Sequence, residues 1–397
     1  MDPIAATTAL VALGSGVVGL VVARRRLLGL GLGALALTCL RTGTLPTAAT
    51  WEGVNAVGLV AAMVIVAAAA ERSGLLAWIA ERLATGVRRP RLLLAATFAV
   101  AVVLTTTCNL DTTAVLFTPL ALSVAAAAGL DAVPFALASV LAANFGSLLL
   151  PTSNLTNLVL WRSSGLSFPR FAAITAPAAA LAALAALAAL LIRRPRPASP
   201  ADPTAPAVIG AGGTAAGLLT DVALARVSAA AVAALIVAFL AGAPAMPVAV
   251  VTAAGLLAWR PALWSARLGP RLVGTLLLVF AAAGPLVDLF DIAARLDGVT
   301  DWQLAAAGAA LSGVATNLAA VLLLEPAATT DKLRVALLVG VDLGVGLTPV
   351  ASLATVLWAD ALRRRAQPVP WRAYLRLAVP LSGLCLLATP LLARLGT

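Results

Sequence analysis

Residues 144–157 read NFGSLLLPTSNLTN, and the fold turns on how they are understood. Three asparagines, two serines, two threonines, a glycine and a proline sit between long apolar runs. The chain of 397 residues is 62% hydrophobic and only 11% charged, with a mean hydropathy of +1.04. Its apolar runs, of about 17–22 residues, are long enough to cross a bilayer and are continuous rather than alternating. It therefore reads as an all-α polytopic membrane protein, not a β-barrel. Bare backbone is costly in hydrocarbon, so an irregular stretch at mid-depth persists only against protein or a wet cavity. The polar residues of 144–157 are expected to line such a cavity, with Pro151 removing a backbone donor and holding the helix open.

Working outward, ten crossings are expected near 4–23, 27–40, 53–70, 135–162, 171–192, 222–241, 246–259, 272–288, 334–361 and 373–393. Two more apolar regions, 92–130 and 303–328, are each interrupted by polar residues halfway and read as re-entrant hairpins. With 24–26, 71–91, 193–226, 260–271 and 363–376 on the cytoplasmic side, twenty of the 27 basic residues fall inside. That is the positive-inside bias. It places both termini outside in a multi-pass plasma-membrane protein. The N-terminal apolar run has Asp2 before it and Arg24, Arg25 and Arg26 after it, so it reads as a retained helix rather than a signal peptide.

The Pro-, Ala- and Gly-rich stretch from 193 has the composition of a linker. It divides the chain into a first half, 1–192, a cytoplasmic linker, 193–221, and a second half, 222–397. The halves match. With a shift of 198 residues, Gly146, Pro151 and Leu155 fall on Gly344, Pro349 and Leu353, and Asn154 falls on Ser352. With a shift of 206, Asp111 falls on Asn317. A hairpin followed by a broken helix thus occurs twice, and the charge bias makes the two copies inverted. Inverted repeats with discontinuous helices commonly hold a substrate at the bilayer midplane.

Asp111 and Asp342 are the sharpest functional signals. A carboxylate inside a membrane is expensive and marks function by default. Each half pairs one aspartate with one asparagine in swapped elements, Asp111 with Asn144 and Asp342 with Asn317. One or both aspartates are expected to carry coupling protons or a sodium ion. The amides and hydroxyls would bind without changing charge, or simply glue helices together.

The net charge of +11 comes from short arginine clusters between apolar runs, so it reflects topology rather than nucleic-acid binding. With no histidine and three scattered cysteines, histidine metal sites, cysteine metal sites and disulfide frameworks are not expected. Cys108, beside the first hairpin tip, reads as a buried filler. There is no GxxxxGK[ST] loop, so no nucleotide cofactor is expected, and a coupled ATPase would be a separate subunit.

The segments NLDTTAVLFTP (109–119), ANFGSLLLPTSNLTN (143–157) and GVDLGVGLTPVASLATVLW (340–358) resemble the ArsB-type arsenite efflux permeases of the ion transporter superfamily. The resemblance covers most of the chain in layout and is strongest over 105–162 and 310–365. It implies proton-coupled export of arsenite or antimonite, with no enzymatic activity. Carried over by position, it implies a site of Asn109, Asp111, Thr112 and Thr113, then Ser153, Asn154, Thr156 and Asn157. The second half would add Thr316, Asn317, Asp342, Thr348, Ser352 and Thr355, and the repeat adds Asn144. The chain departs from the family pattern at Leu110, at Ala319 and at Ala351. Arsenite is mainly an uncharged trihydroxide at neutral pH, which amides and hydroxyls can bind. The same fold also suits a sodium- or proton-coupled transporter of carboxylates or other small anions, or a sodium/proton antiporter. An intramembrane aspartyl protease is the remote alternative, for residues 339–342 read VGVD rather than GxGD. A homodimer is compatible with all the transporter readings.

Overall fold

A computed structural model describes residues 3–22, 25–43, 47–193, 195–197, 220–241, 243–266, 270–349 and 351–396. Most of the expected linker, 198–219, lies outside the described residues. Every described regular element is helical. The first half runs α1 (Pro3–Val22), α2 (Arg25–Thr42), α3 (Thr47–Arg72), α4 (Leu75–Gly86), α5 (Pro90–Thr107), α6 (Leu110–Thr112), α7 (Thr118–Ala127), α8 (Ala132–Phe145), α9 (Leu155–Ser164) and α10 (Phe168–Ile192). The second runs α11 (Val222–Leu240), α12 (Ala245–Trp259), α13 (Pro270–Phe290), α14 (Ile292–Arg295), α15 (Asp301–Ala315), α16 (Asn317–Leu324), α17 (Asp331–Leu338), α18 (Leu353–Arg363) and α19 (Trp371–Leu395). Seven spans among the described residues are long and apolar enough to cross a membrane. Expected and observed spans agree within a few residues at most ends. The expected loop 71–91 instead contains α4, whose 12 residues include Glu81 and Arg82 and are too few to span a membrane.

Polar contacts sort the loops onto two faces. On one, Arg72 donates to the Ala262 carbonyl (2.7 Å) and to Ser265, Thr220 donates to the Arg72 carbonyl, and Arg260 pairs with Asp221 at 2.7 Å. Glu71 lies within electrostatic reach of Arg365, which brings the end of α18 to the same face. These are four of the arginine-bearing segments expected to share a side. On the other face Asp331 pairs with Arg170 (3.1 Å) and Arg334 (2.8 Å), joining the starts of α10 and α17.

The chain path shows how the hairpins enter. From its break at Asn109, the run α6–α7 descends beside α18: Leu110 and Leu353 line one cavity, and Pro119 and Arg364 line another. Its far end therefore returns to the arginine-rich face from which α5 set out. Both legs are 18 residues long, enough to cross on length alone, so these contacts rather than length make the segment re-entrant. The second hairpin starts beyond α13, which carries the chain from the arginine-rich face to the other. There α14 packs against the turn Glu325–Ala327 at the hairpin's end. The hairpins thus enter from opposite faces and meet tip to tip.

Close backbone approach fixes the second broken helix against α15. A Cβ at Gly340 would collide with the backbone of Ala305, and one at Gly344 would stand 2.6 Å from the Ala309 Cβ. Small residues let membrane helices approach this closely, and dispersion replaces the hydrophobic effect that lipid cannot supply.

Candidate functional site

The break at 146–154 raises a bookkeeping question, because every freed backbone group in a membrane needs a partner. The side chains of the opening motif answer much of it. Asn157 donates to the Ser147 (2.8 Å) and Leu150 (3.0 Å) carbonyls, and Ser153 donates to the same two. Thr175 of α10 reaches the Leu149 carbonyl at 3.0 Å, and Thr106 reaches that of Gly146 at 3.3 Å. Pro151 opens a 3-10 turn, Pro151–Ser153, and Asn154 caps α9. Ser153 and Asn157, expected as ligands, therefore build the opening rather than line it.

The second half closes its break by other means. Ser312 donates to the Val341 carbonyl (3.1 Å), Ser382 to that of Leu343, and Thr348 to that of Gly313 (3.1 Å). The backbone N–H of Asn317 donates to the Ala351 carbonyl at 2.9 Å, tying the hairpin tip to the broken helix. Each half also carries a π-helical turn, Thr113–Phe117 just past the first hairpin tip and Val339–Leu343 at the opening of the second broken helix. Such turns are rare and recur at functional sites. Asp342 sits inside the second.

Where the tips meet lies a cavity lined by Asp111, Asn154, Thr316, Asn317 and Ser352, with Leu276 of α13 as part of its wall. Its volume is about 30 Å³. That is room for roughly two waters, or one ion with part of its shell. Its polar groups are oxygen-rich and incompletely used. Asp111 Oδ1, Thr316 Oγ1 and Ser352 Oγ are buried without a hydrogen-bond partner. Thr316 also holds φ 101° and ψ 154°, a region other residues leave to glycine, at a cost of about 1–3 kcal/mol.

Asp342 stands behind this lining. Its Oδ1 accepts from Thr156 Oγ1 (2.7 Å), Asn154 Nδ2 (2.9 Å) and Asn317 Nδ2 (3.3 Å), while its Oδ2 is buried and unpartnered. One carboxylate is thus gripped by both halves on one oxygen and free on the other. Its repeat counterpart, Asn144, makes the reciprocal crossing: its amide donates to Thr355 (2.8 Å) and Tyr374 (3.2 Å) of the second half.

The remaining expected residues fall elsewhere. Asn109 accepts from the Asp111 amide at 2.7 Å and caps the short helix that presents Asp111. Thr113 bonds Thr105 (3.0 Å) and the Asn109 carbonyl, and Thr112 is buried without lining the cavity. Sequence reasoning missed Tyr374, Ser382 and Leu276. Tyr374 is the single tyrosine of the chain and stands between Arg372 and Arg376 near the start of α19, the one signal that could have found it.

Two hairpin tips meeting at a buried, carboxylate-bearing cavity define a membrane transporter for small solutes. A family model described as "Citrate transporter" matches residues 10–330, and the chain belongs to that family. A second model, "Arsenical pump membrane protein", matches residues 286–394, the half where α15–α18 lie. Twenty-seven chains of solved structures match. One is the YdaH transporter of Alcanivorax borkumensis, described as having an unusual topology. It is similar at 16% identity and a TM-score of 0.50, over 92% of this chain and 88% of that one, a likeness of fold. No curated protein matches.

Proposed function

We propose that this protein is a cation-coupled secondary transporter of small carboxylate anions, with citrate the first cargo to test. The observation that carries it is the unequal use of the Asp342 oxygens, beside a cavity that Asp111 lines. Hard oxygen groups in a space of one or two waters suit a sodium ion or a proton, not a whole tricarboxylate. Cargo sites are usually about 300–1,000 Å³, so the cargo enters only when the halves move apart. In this reading 1–192 and 222–397 are the two repeat halves joined by 193–221, with hairpins near 92–130 and 303–328 and broken helices near 135–162 and 334–361. The cation bound between the tips neutralises the carboxylates, so that the anionic cargo can follow it when the halves move apart.

Export of arsenite or antimonite is the second reading. It is favoured by the arsenical-pump match over 286–394 and by a cavity lining without a basic residue, which suits an uncharged trihydroxide. Purified protein in proteoliposomes, offered labelled citrate and arsenite in parallel, separates the two. Citrate flux without arsenite flux supports the first; the reverse supports the second and removes the first.

A further inference from the structure

A larger cleft opens where α7 begins and α18 ends. It has a volume of about 520 Å³ and is walled by Val115, Pro119 and Leu357, with Asp360, Arg364 and Arg365 at its polar side. The proposed site does not use it. The cleft and the buried cavity lie along the same seam, since residues 111, 115 and 119 follow one side of the α6–α7 run and 353, 357 and 361 one side of α18. Eight helical residues separate Asp111 from Pro119, a rise of about 12 Å.

The charges of the cleft stand at its exposed rim. Arg364 is 78% exposed and pairs with the half-exposed Asp360 at 2.6 Å. Arg365 faces the cleft with Glu71 within electrostatic reach. Two guanidinium groups over an apolar wall offer what the deep cavity lacks, fixed positive charge and forked donors that match carboxylates. The volume suits a small organic anion, whereas the deep cavity suits an ion.

We propose that this cleft is a capture site for small carboxylate anions on the arginine-rich face, with Arg364 and Arg365 as its binding groups and Asp360 as an internal competitor. The inference rests on the carboxylate-transport reading. It gives two changes of opposite sign. Replacing the arginines weakens capture, and replacing Asp360 releases Arg364 and strengthens it. A purely structural ion pair would lose stability from either change.

The test is labelled citrate uptake into right-side-out and everted membrane vesicles carrying the full chain. R364Q/R365Q should raise KM roughly threefold to tenfold in one vesicle orientation only, with the maximal rate retained. D360N should lower KM about twofold in that orientation, and added salt should shrink both effects. Unchanged KM in both variants, or equal shifts in both orientations, overturns the capture site. Absence of citrate flux by the unaltered protein overturns the transport reading itself, and is seen before any variant is compared.

Discussion

Replacing Asp342 with asparagine isolates charge from shape. The amide oxygen can keep the acceptor role toward Thr156, Asn154 and Asn317, at 2.7, 2.9 and 3.3 Å. The new amide nitrogen takes the place of Oδ2, which has no partner to lose. The fold should therefore survive, with stability changed by about 1 kcal/mol or less. What disappears is the attraction for a cation. With a cation drawn from the cavity into contact with Oδ2 at about 2.4 Å, an effective dielectric constant near 20 makes the unit charge pair worth about 7 kcal/mol. If desolvation consumes about 60% of that, roughly 2.8 kcal/mol remains, which is about 100-fold in affinity. Flux in proteoliposomes, titrated with sodium at fixed pH and with pH at fixed sodium, reads this directly. The half-saturating concentration of the coupling cation should rise about 100-fold or its effect vanish. An unchanged cation dependence in a folded, reconstituted variant would refute the assignment of Asp342.

Asp111→Asn should likewise abolish cation-driven accumulation, since Asp111 brings an unpartnered oxygen to the cavity; accumulation equal to wild type would count against its role. Gly340→Ala should destabilise the protein by about 1–3 kcal/mol, because the added methyl meets the Ala305 backbone, and thermal unfolding in detergent would show a lowered midpoint. Tyr374→Phe removes a 3.2 Å bond from Asn144 and should cost about 0.6–1.7 kcal/mol, read by the same melt, while leaving the cation titration where it was.

The layout of helices was legible because long apolar runs have few alternatives in a membrane, and because arginines mark one face. The break at 144–157 was legible for the same reason: Asn154, Asn157 and Ser153 make no sense in an intact lipid-facing helix. What sequence could not supply was the division of labour within that motif. Ser153 and Asn157 turn inward to their own carbonyls, whereas Asn154 and Thr156, one position away from each, reach Asp342 nearly two hundred residues later. Such choices depend on three-dimensional register, which a shift-by-198 comparison cannot see. Thr316 was expected as a ligand, but its strained backbone was hidden, since nothing in TNLAA announces a positive φ at a threonine. Helix α4 was passed over because its charges read as an interfacial loop. Tyr374 and Ser382 were missed because hydroxyls scattered along a long, largely apolar helix resemble ordinary packing.

The central claim, that cation and cargo are coupled through this cavity, is tested most directly by driving transport with a gradient. Proteoliposomes holding the purified chain would be given labelled citrate at equal concentration on both sides, with and without an inward sodium or proton gradient. Accumulation above the starting concentration when one of these gradients is imposed, lost when it is collapsed, is the expected result. Citrate that only equilibrates under either gradient, or never crosses at all, would contradict the account.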